Sequence, residues 1–147
     1  MTLNIRNIAG ADRQQWDGLW DGYLTFYKAE ISAEQTELTW TRLLDPDFGL
    51  HGMVAESNGR LVGLAHYSYT ISSWQVNPDI YLEDLFVDSS VRGQGVGRAL
   101  IEHLDGVAKL QGCEHLWWQT HKDNAVARRL YDSVGQLSEF VKYIFTR

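Results

Sequence analysis

Residues 81–98 read YLEDLFVDSSVRGQGVGR, from Tyr81 to Arg98, and the way this stretch divides decides the fold. Its first part, with Ile80, gives the run IYLEDLFV, whose apolar positions fit a strand buried in the middle of a sheet. Its last part, Arg92-Gly93-Gln94-Gly95-Val96-Gly97-Arg98, is a glycine-rich turn. From Gly95 to Leu110, Leu100, Leu104, Val107 and Leu110 recur on one helical face, and Gly112 marks the stop. A turn that joins a strand to a helix gathers backbone N–H groups and the positive end of the helix dipole around one small volume. Glycines at 93, 95 and 97 permit the sharp turn and let an anion approach without a Cβ in the way. With Arg92 and Arg98 adding charge, the pattern predicts a phosphate cradle.

Downstream, HLWWQT reads as a strand, so strand, turn, helix and strand form a right-handed crossover between neighbouring parallel strands, with the turn at the ligand-binding carboxyl edge. Asn124 begins a short helix running through Tyr131, Gly135 closes it, and SEFVKYIF reads as a final strand or strand pair. Upstream, HGMVAES and RLVGLAHYSYTI flank Ser57-Asn58-Gly59 and predict a hairpin, followed by a looser stretch from Ser72 to Asp79. LNIRNI is a short strand, and Ala11–Ala29 carries Trp16, Leu19, Trp20, Tyr23, Leu24 and Tyr27 at helical spacing. A second helix is expected over Ala33–Leu44, capped by Ser32 and ended by Asp45-Pro46. No repeat, linker or low-complexity segment interrupts the chain, which predicts one domain over residues 1–147.

Composition narrows the function classes. Hydrophobic residues at 44% and charged residues at 22% describe a globular chain able to bury its own core. With 13 basic and 19 acidic residues the formal charge is -6, which opposes sequence-independent nucleic-acid binding and attracts a cationic substrate. The single cysteine, Cys113, forms no intramolecular disulfide, and no signal-peptide pattern opens the chain, so a cytoplasmic location is expected. No apolar run approaches the roughly 18 residues that span a bilayer. The five histidines show neither H-x-x-x-H, H-x-H nor cysteine-paired spacing, so no metal site is expected.

Among glycine-rich turns, a Walker A loop needs G-x-x-x-x-G-K-[ST], but Gly97 is followed by Arg98-Ala99. The dinucleotide fingerprint G-x-G-x-x-G needs its third glycine one residue later than Gly97, where Arg98 stands, and sits near a chain's start. The segment Arg92-Gly93-Gln94-Gly95-Val96-Gly97 instead resembles the acetyl-CoA-binding motif Q/R-x-x-G-x-G/A of the GNAT superfamily of N-acetyltransferases. The preceding LFVD is similar to that family's strand end, and NAVARRLYDSVG resembles its N-x-x-A-x-x-x-Y-x-x-x-G element at Asn124, Ala127, Tyr131 and Gly135. Tyr81 to Val87 and the hairpin Gly63–Trp74 are most similar to the spermidine/spermine and other polyamine or diamine acetyltransferases.

The resemblance implies an α/β (α+β) fold, with a mixed central sheet of six to seven strands flanked by about four helices. It also implies acetyl-CoA as co-substrate. The backbone of Leu85, Phe86 and Val87 would pair with the pantetheine arm, and Arg92, Gly93, Gln94, Gly95, Val96, Gly97 and Arg98 would hold the pyrophosphate. Asn124 would reach the pantetheine and Arg128 a phosphate, although Arg128 and Arg129 also fit a solvated helix face.

Acetyl transfer to an amine needs a base, because an amine with a pKa of about 10.4 is protonated at neutral pH, and an acid for the departing thiolate. Glu83 is the candidate base and Tyr131 the candidate acid, its phenol being protonated at pH 7. Strand alternation sends Glu83 and Asp84 to opposite faces, leaving one of them a structural or substrate-contacting task. Tyr27, near the acidic connection of Glu30, Glu34 and Glu37, is a candidate for the acceptor pocket with Glu83 and Asp84. The expected acceptor is a small cationic, polyamine-like amine attacking directly in a ternary complex. A protein lysine or N-terminal amine, an amino acid or an aminoglycoside stays open, as does a non-catalytic acyl-CoA-binding module. Unpaired strand edges also suggest a homodimer.

Overall fold

The computed structural model describes all residues, Met1–Arg147. Five strands, β1 (Asn4–Asn7), β2 (Leu50–Ser57), β3 (Arg60–Thr70), β4 (Asp79–Val87) and β5 (Leu116–Trp118), form one sheet in the order β1-β2-β3-β4-β5. Neighbours are antiparallel except β4 and β5, which run parallel as the crossover reading requires. Asn58 and Gly59 take the left-handed conformation at the β2–β3 turn, at φ 51° and 77°.

Helices cover both faces. α1 (Arg13–Phe26) and α2 (Ala33–Leu44) bring Trp16, Leu19, Trp20, Trp40 and Leu43 against Val54, Leu61 and Leu64. On the other face α3 (Val96–Leu110) sets Leu100, Ile101 and Leu104 against Met53, Ala65, Tyr67, Ile80 and Leu82. α4 (Ala125–Val134) buries no residue completely and packs Leu130, Tyr131 and Val134 on the rim of that second core. The caps follow the local sequence: Ser32 Oγ accepts from Gln35 N at 3.0 Å, and Asn124 Oδ1 accepts from Ala127 N at 3.2 Å.

Two expectations are corrected. The sheet has five strands, not six or seven, and the expected terminal strand over SEFVKYIF has no regular structure. High β-propensity forms a strand only where another edge supplies hydrogen bonds, and the neighbouring β5 is three residues long. Phe140, Tyr143 and Phe145 are left about nine-tenths exposed, at 90%, 91% and 86%. α1 is also shorter than its apolar pattern, running Arg13–Phe26 after a single 3-10 turn at Gly10–Asp12.

Candidate active site

The site starts from an asymmetry in β4. Ile80, Tyr81 and Leu82 pair with Leu116, Trp117 and Trp118 of β5, but β5 stops there while β4 continues to Val87. Glu83–Val87 therefore keep β3 on one edge and have no strand on the other. Asp88 N donates to Val62 O at 2.9 Å, so by antiparallel alternation Phe86 also faces β3, and the backbone groups of Leu85 and Val87 face the opening. An extended polar chain can add there as a further strand.

A β-bulge sits at the same point. His66 pairs with Asp84 and Tyr67 with Leu82, so Glu83 has no partner residue on β3. Strict alternation is broken: Ile80 and Leu82 pack into the same core as Leu85 and Val87, while Asp84 and Phe86 meet α1. Glu83 and Asp84 thus fall together on one side between Leu82 and Leu85, which corrects the expectation of opposite faces. The extra residue carries the parity change that the sequence pattern does not announce.

Beside the opening lies a cleft of about 330 Å³. It brings together the expected Glu83, Leu85, Tyr27 and Tyr131 with Tyr23, Tyr81, Trp118, His121 and Lys142. Burial and then the charge of neighbouring Asp84 raise the Glu83 carboxyl above its ordinary value, as suits a group that must take a proton. Burial, with Tyr27 nearby, pushes the Tyr131 phenol up to about 12, so at neutral pH it carries a proton to donate. Trp118 holds its ring edge-on, with centroids 5.5 Å apart. Asp84 does not line the cleft: one oxygen accepts from Tyr23 Oη at 2.6 Å and the other faces His66 Nδ1 at 3.0 Å.

At the carboxyl end of β4 the chain passes a 3-10 turn at Ser89–Val91 and enters the glycine turn. Gly93 and Gly95 adopt φ 79° and 85°, a left-handed backbone that a side chain strains, and no atom lies within 4 Å of where their Cβ would be. Gly95 is the N-cap of α3 and Val96 its first residue, so the helix N-terminus opens on this turn, as an anion site requires. A Cβ on Gly97 would come within 3.2 Å of Leu130 Cδ2, so this glycine lets α3 and α4 approach.

The cationic side chains are placed less simply. Arg92 folds back over Phe26 and Phe86 and donates from Nε to Val87 O at 3.2 Å. Arg98 reaches Ser133 Oγ at 2.7 Å, and Arg128 donates to Lys122 O at 2.8 Å. Asn124 spends its carbonyl on capping α4. Gln94 is exposed in the turn. The glycine turn and the open edge of β4 fit a phosphate followed by an extended amide chain.

Residues 16–135 match the acetyltransferase (GNAT) family. The chain belongs to that family. It is an acetyl-CoA-dependent N-acetyltransferase. The D-amino-acid N-acetyltransferase HPA3 of Saccharomyces cerevisiae is 33% identical over 141 residues, covering 95% of this chain and 88% of the relative. The thialysine N-epsilon-acetyltransferase of Sus scrofa is 35% identical over 118 residues, 72% of this chain and 69% of the relative. The aminoglycoside acetyltransferase AAC(6')-Iy, solved with a bisubstrate analogue, superposes with a TM-score of 0.85 at 20% identity, over 100% and 99% of the two chains. That last likeness concerns the fold.

Some residues in the cleft, and His66 buried behind it, are not singled out by the sequence pattern. Tyr23 stands one helical turn before Tyr27, so its stripe was visible but read as core. Lys142 comes from the segment expected to be a strand, and His66 had no spacing partner to draw attention to it.

Proposed function

We propose that this acetyltransferase modifies the primary amine of a small acceptor bound in the cleft, with Glu83 as general base and Tyr131 as general acid. The observation that carries this reading is the convergence of the open edge of β4, Glu83 and Tyr131 on one cavity. Glu83 takes a proton from the acceptor ammonium, the freed amine attacks the acetyl carbonyl, a C–N bond forms and the C–S bond breaks. The Tyr131 hydroxyl protonates the leaving sulfur, and the proton that the new amide nitrogen sheds returns through solvent to the Tyr131 oxygen.

The preferred acceptor is an amino acid. Lys142 lines the same cleft as Glu83, which gives an acceptor carrying both an ammonium and a carboxylate a partner for each. The likeness to a D-amino-acid acetyltransferase supports this reading. A polyamine is the second reading, favoured by Glu83 and Asp84 lying on one side of β4 and by the chain's formal charge of -6. An acetyl-CoA turnover panel of amino acids, polyamines and aminoglycosides separates them. With Lys142→Glu, KM for amino acids rises if Lys142 holds the acceptor carboxylate; an unchanged KM for amino acids removes that reading and leaves the polyamine. Tyr131→Phe lowers kcat about 10²-fold with unchanged acetyl-CoA affinity, and unchanged turnover removes the acid role.

The exposed Phe140, Tyr143, Ile144 and Phe145 and the short β5 edge support a homodimer joined through the C-terminal segment. Sedimentation of the intact protein gives a dimer that Phe140→Asp with Ile144→Asp converts to monomer; a monomeric wild type contradicts it.

A further inference from the structure

Behind the cleft runs a chain of hydrogen bonds that the transfer itself does not use. Trp16 Nε1 lies 3.1 Å from His66 Nε2, His66 Nδ1 lies 3.0 Å from Asp84, and Asp84 accepts from Tyr23 at 2.6 Å. Trp16 and His66 are 0% and 1% exposed. An indole nitrogen is a donor only, so His66 Nε2 must accept, and the imidazole proton must sit on Nδ1, directed at Asp84. A cationic imidazole would set an N–H against the indole N–H at 3.1 Å, so the His66–Asp84 contact is a hydrogen bond from a neutral ring, not an ion pair. Tyr23 supplies the second donor, and its hydroxyl is itself held protonated, its titration driven far upward by burial and by Asp84. Each Asp84 oxygen thus faces one of these donors.

The β-bulge brings that carboxylate next to Glu83 on the same side of the strand. Resting on the reading of Glu83 as base, we propose that Trp16 and His66 are positioning residues. By keeping His66 neutral and aimed at Asp84, they hold a fixed negative charge beside Glu83 and so set the conditions under which it accepts the acceptor's proton. Trp16 is the origin of the effect, because its donor is what forbids a positive charge on His66. The other groups facing Glu83 have different roles. Ser68 of β3 and Tyr81 of its own strand present hydroxyl groups. Tyr23, Tyr27 and Tyr131, from α1, the residue after it and α4, are phenols, His121 lies beyond β5, and Lys142 is the one nearby ammonium and opposes Asp84.

The test is the pH profile of kcat/KM. Trp16→Phe keeps an aromatic ring but removes the indole donor, letting His66 take a proton and cancel the Asp84 charge. The acidic limb is then expected to move down by about half to one pH unit. His66→Asn keeps an N–H for Asp84 but cannot ionise, so its limb is expected to stay at the wild-type position. Asp84→Asn removes the charge directly, is expected to shift the limb downward like Trp16→Phe, and carries the test if that variant fails to fold. A merely structural role lowers kcat at every pH and leaves the limb in place in all three variants, which would overturn the proposal. Glu83→Gln separates the two levels. If the limb survives in that variant, Glu83 is not the base and the parent reading fails; if it vanishes while Trp16→Phe and Asp84→Asn leave it unmoved, only the relay fails.

Discussion

β4 is one strand with two characters. Its first half, Asp79–Leu82, is hydrogen-bonded on both edges and buries Ile80 and Leu82 at 0% and 4% exposure. Its second half, Glu83–Val87, begins at a bulge, keeps one paired edge and buries no residue completely. The first half is held by packing and by strands on both sides, whereas the second turns the backbone groups of Leu85 and Val87 toward an edge that no strand covers. The bulge and the uncovered edge fall together, and the proposed base Glu83 sits where regular pairing is interrupted.

The contrast breaks most sharply at Glu83. Glu83→Gln is expected to lower kcat by roughly 10² to 10⁴-fold with little change in stability or acetyl-CoA affinity, as steady-state kinetics and calorimetric titration would show. Leu82→Ala, one residue away in the paired half, does the reverse. It costs about 2–5 kcal/mol of folding stability by denaturant titration, while the remaining folded enzyme binds acetyl-CoA normally. Gly95→Ala sharpens the boundary from the other side. A side chain at φ 85° strains the cradle by about 1–2 kcal/mol, so acetyl-CoA affinity is expected to fall about tenfold.

The smallest effect is the pH dependence of stability. The folded state raises the Glu83 carboxyl above its unfolded value, so the folded chain holds that proton more tightly. Stability from this group therefore declines as pH rises through the window between the unfolded and folded values, and stays lower above it. Glu83→Gln is expected to be slightly more stable than wild type at pH 7, with the gap closing below about pH 4, where both states are protonated. Asp12 provides the opposite sign. The Arg6 guanidinium, bonded at 2.8 and 2.9 Å, holds its carboxyl below the ordinary range, so its contribution is present at neutral pH and lost on acidification.

Much of this division was legible before any coordinates. The glycine turn, the α3 periodicity and the NAVARRLYDSVG element gave the strand-to-helix turn, α3 and α4 because each depends on local geometry: left-handed glycines, a capped helix and a fixed helical offset. Ala33–Leu44 was legible to the residue, since Ser32 caps it and Pro46 follows its end. What was not legible depends on partners distant in sequence. The bulge at Glu83 exists only relative to β3, and the Trp16–His66 bond joins residues 50 apart. SEFVKYIF read as strand on composition alone, but it lacks the neighbouring edge that would make it one.

Amide hydrogen exchange with and without saturating acetyl-CoA tests the central claim most directly. If the open half of β4 is the platform for the co-substrate, the Leu85 and Val87 amides slow markedly on binding while those of Ile80 and Leu82, already paired, change little. Saturation by acetyl-CoA with no added protection at Leu85 or Val87 would contradict the account.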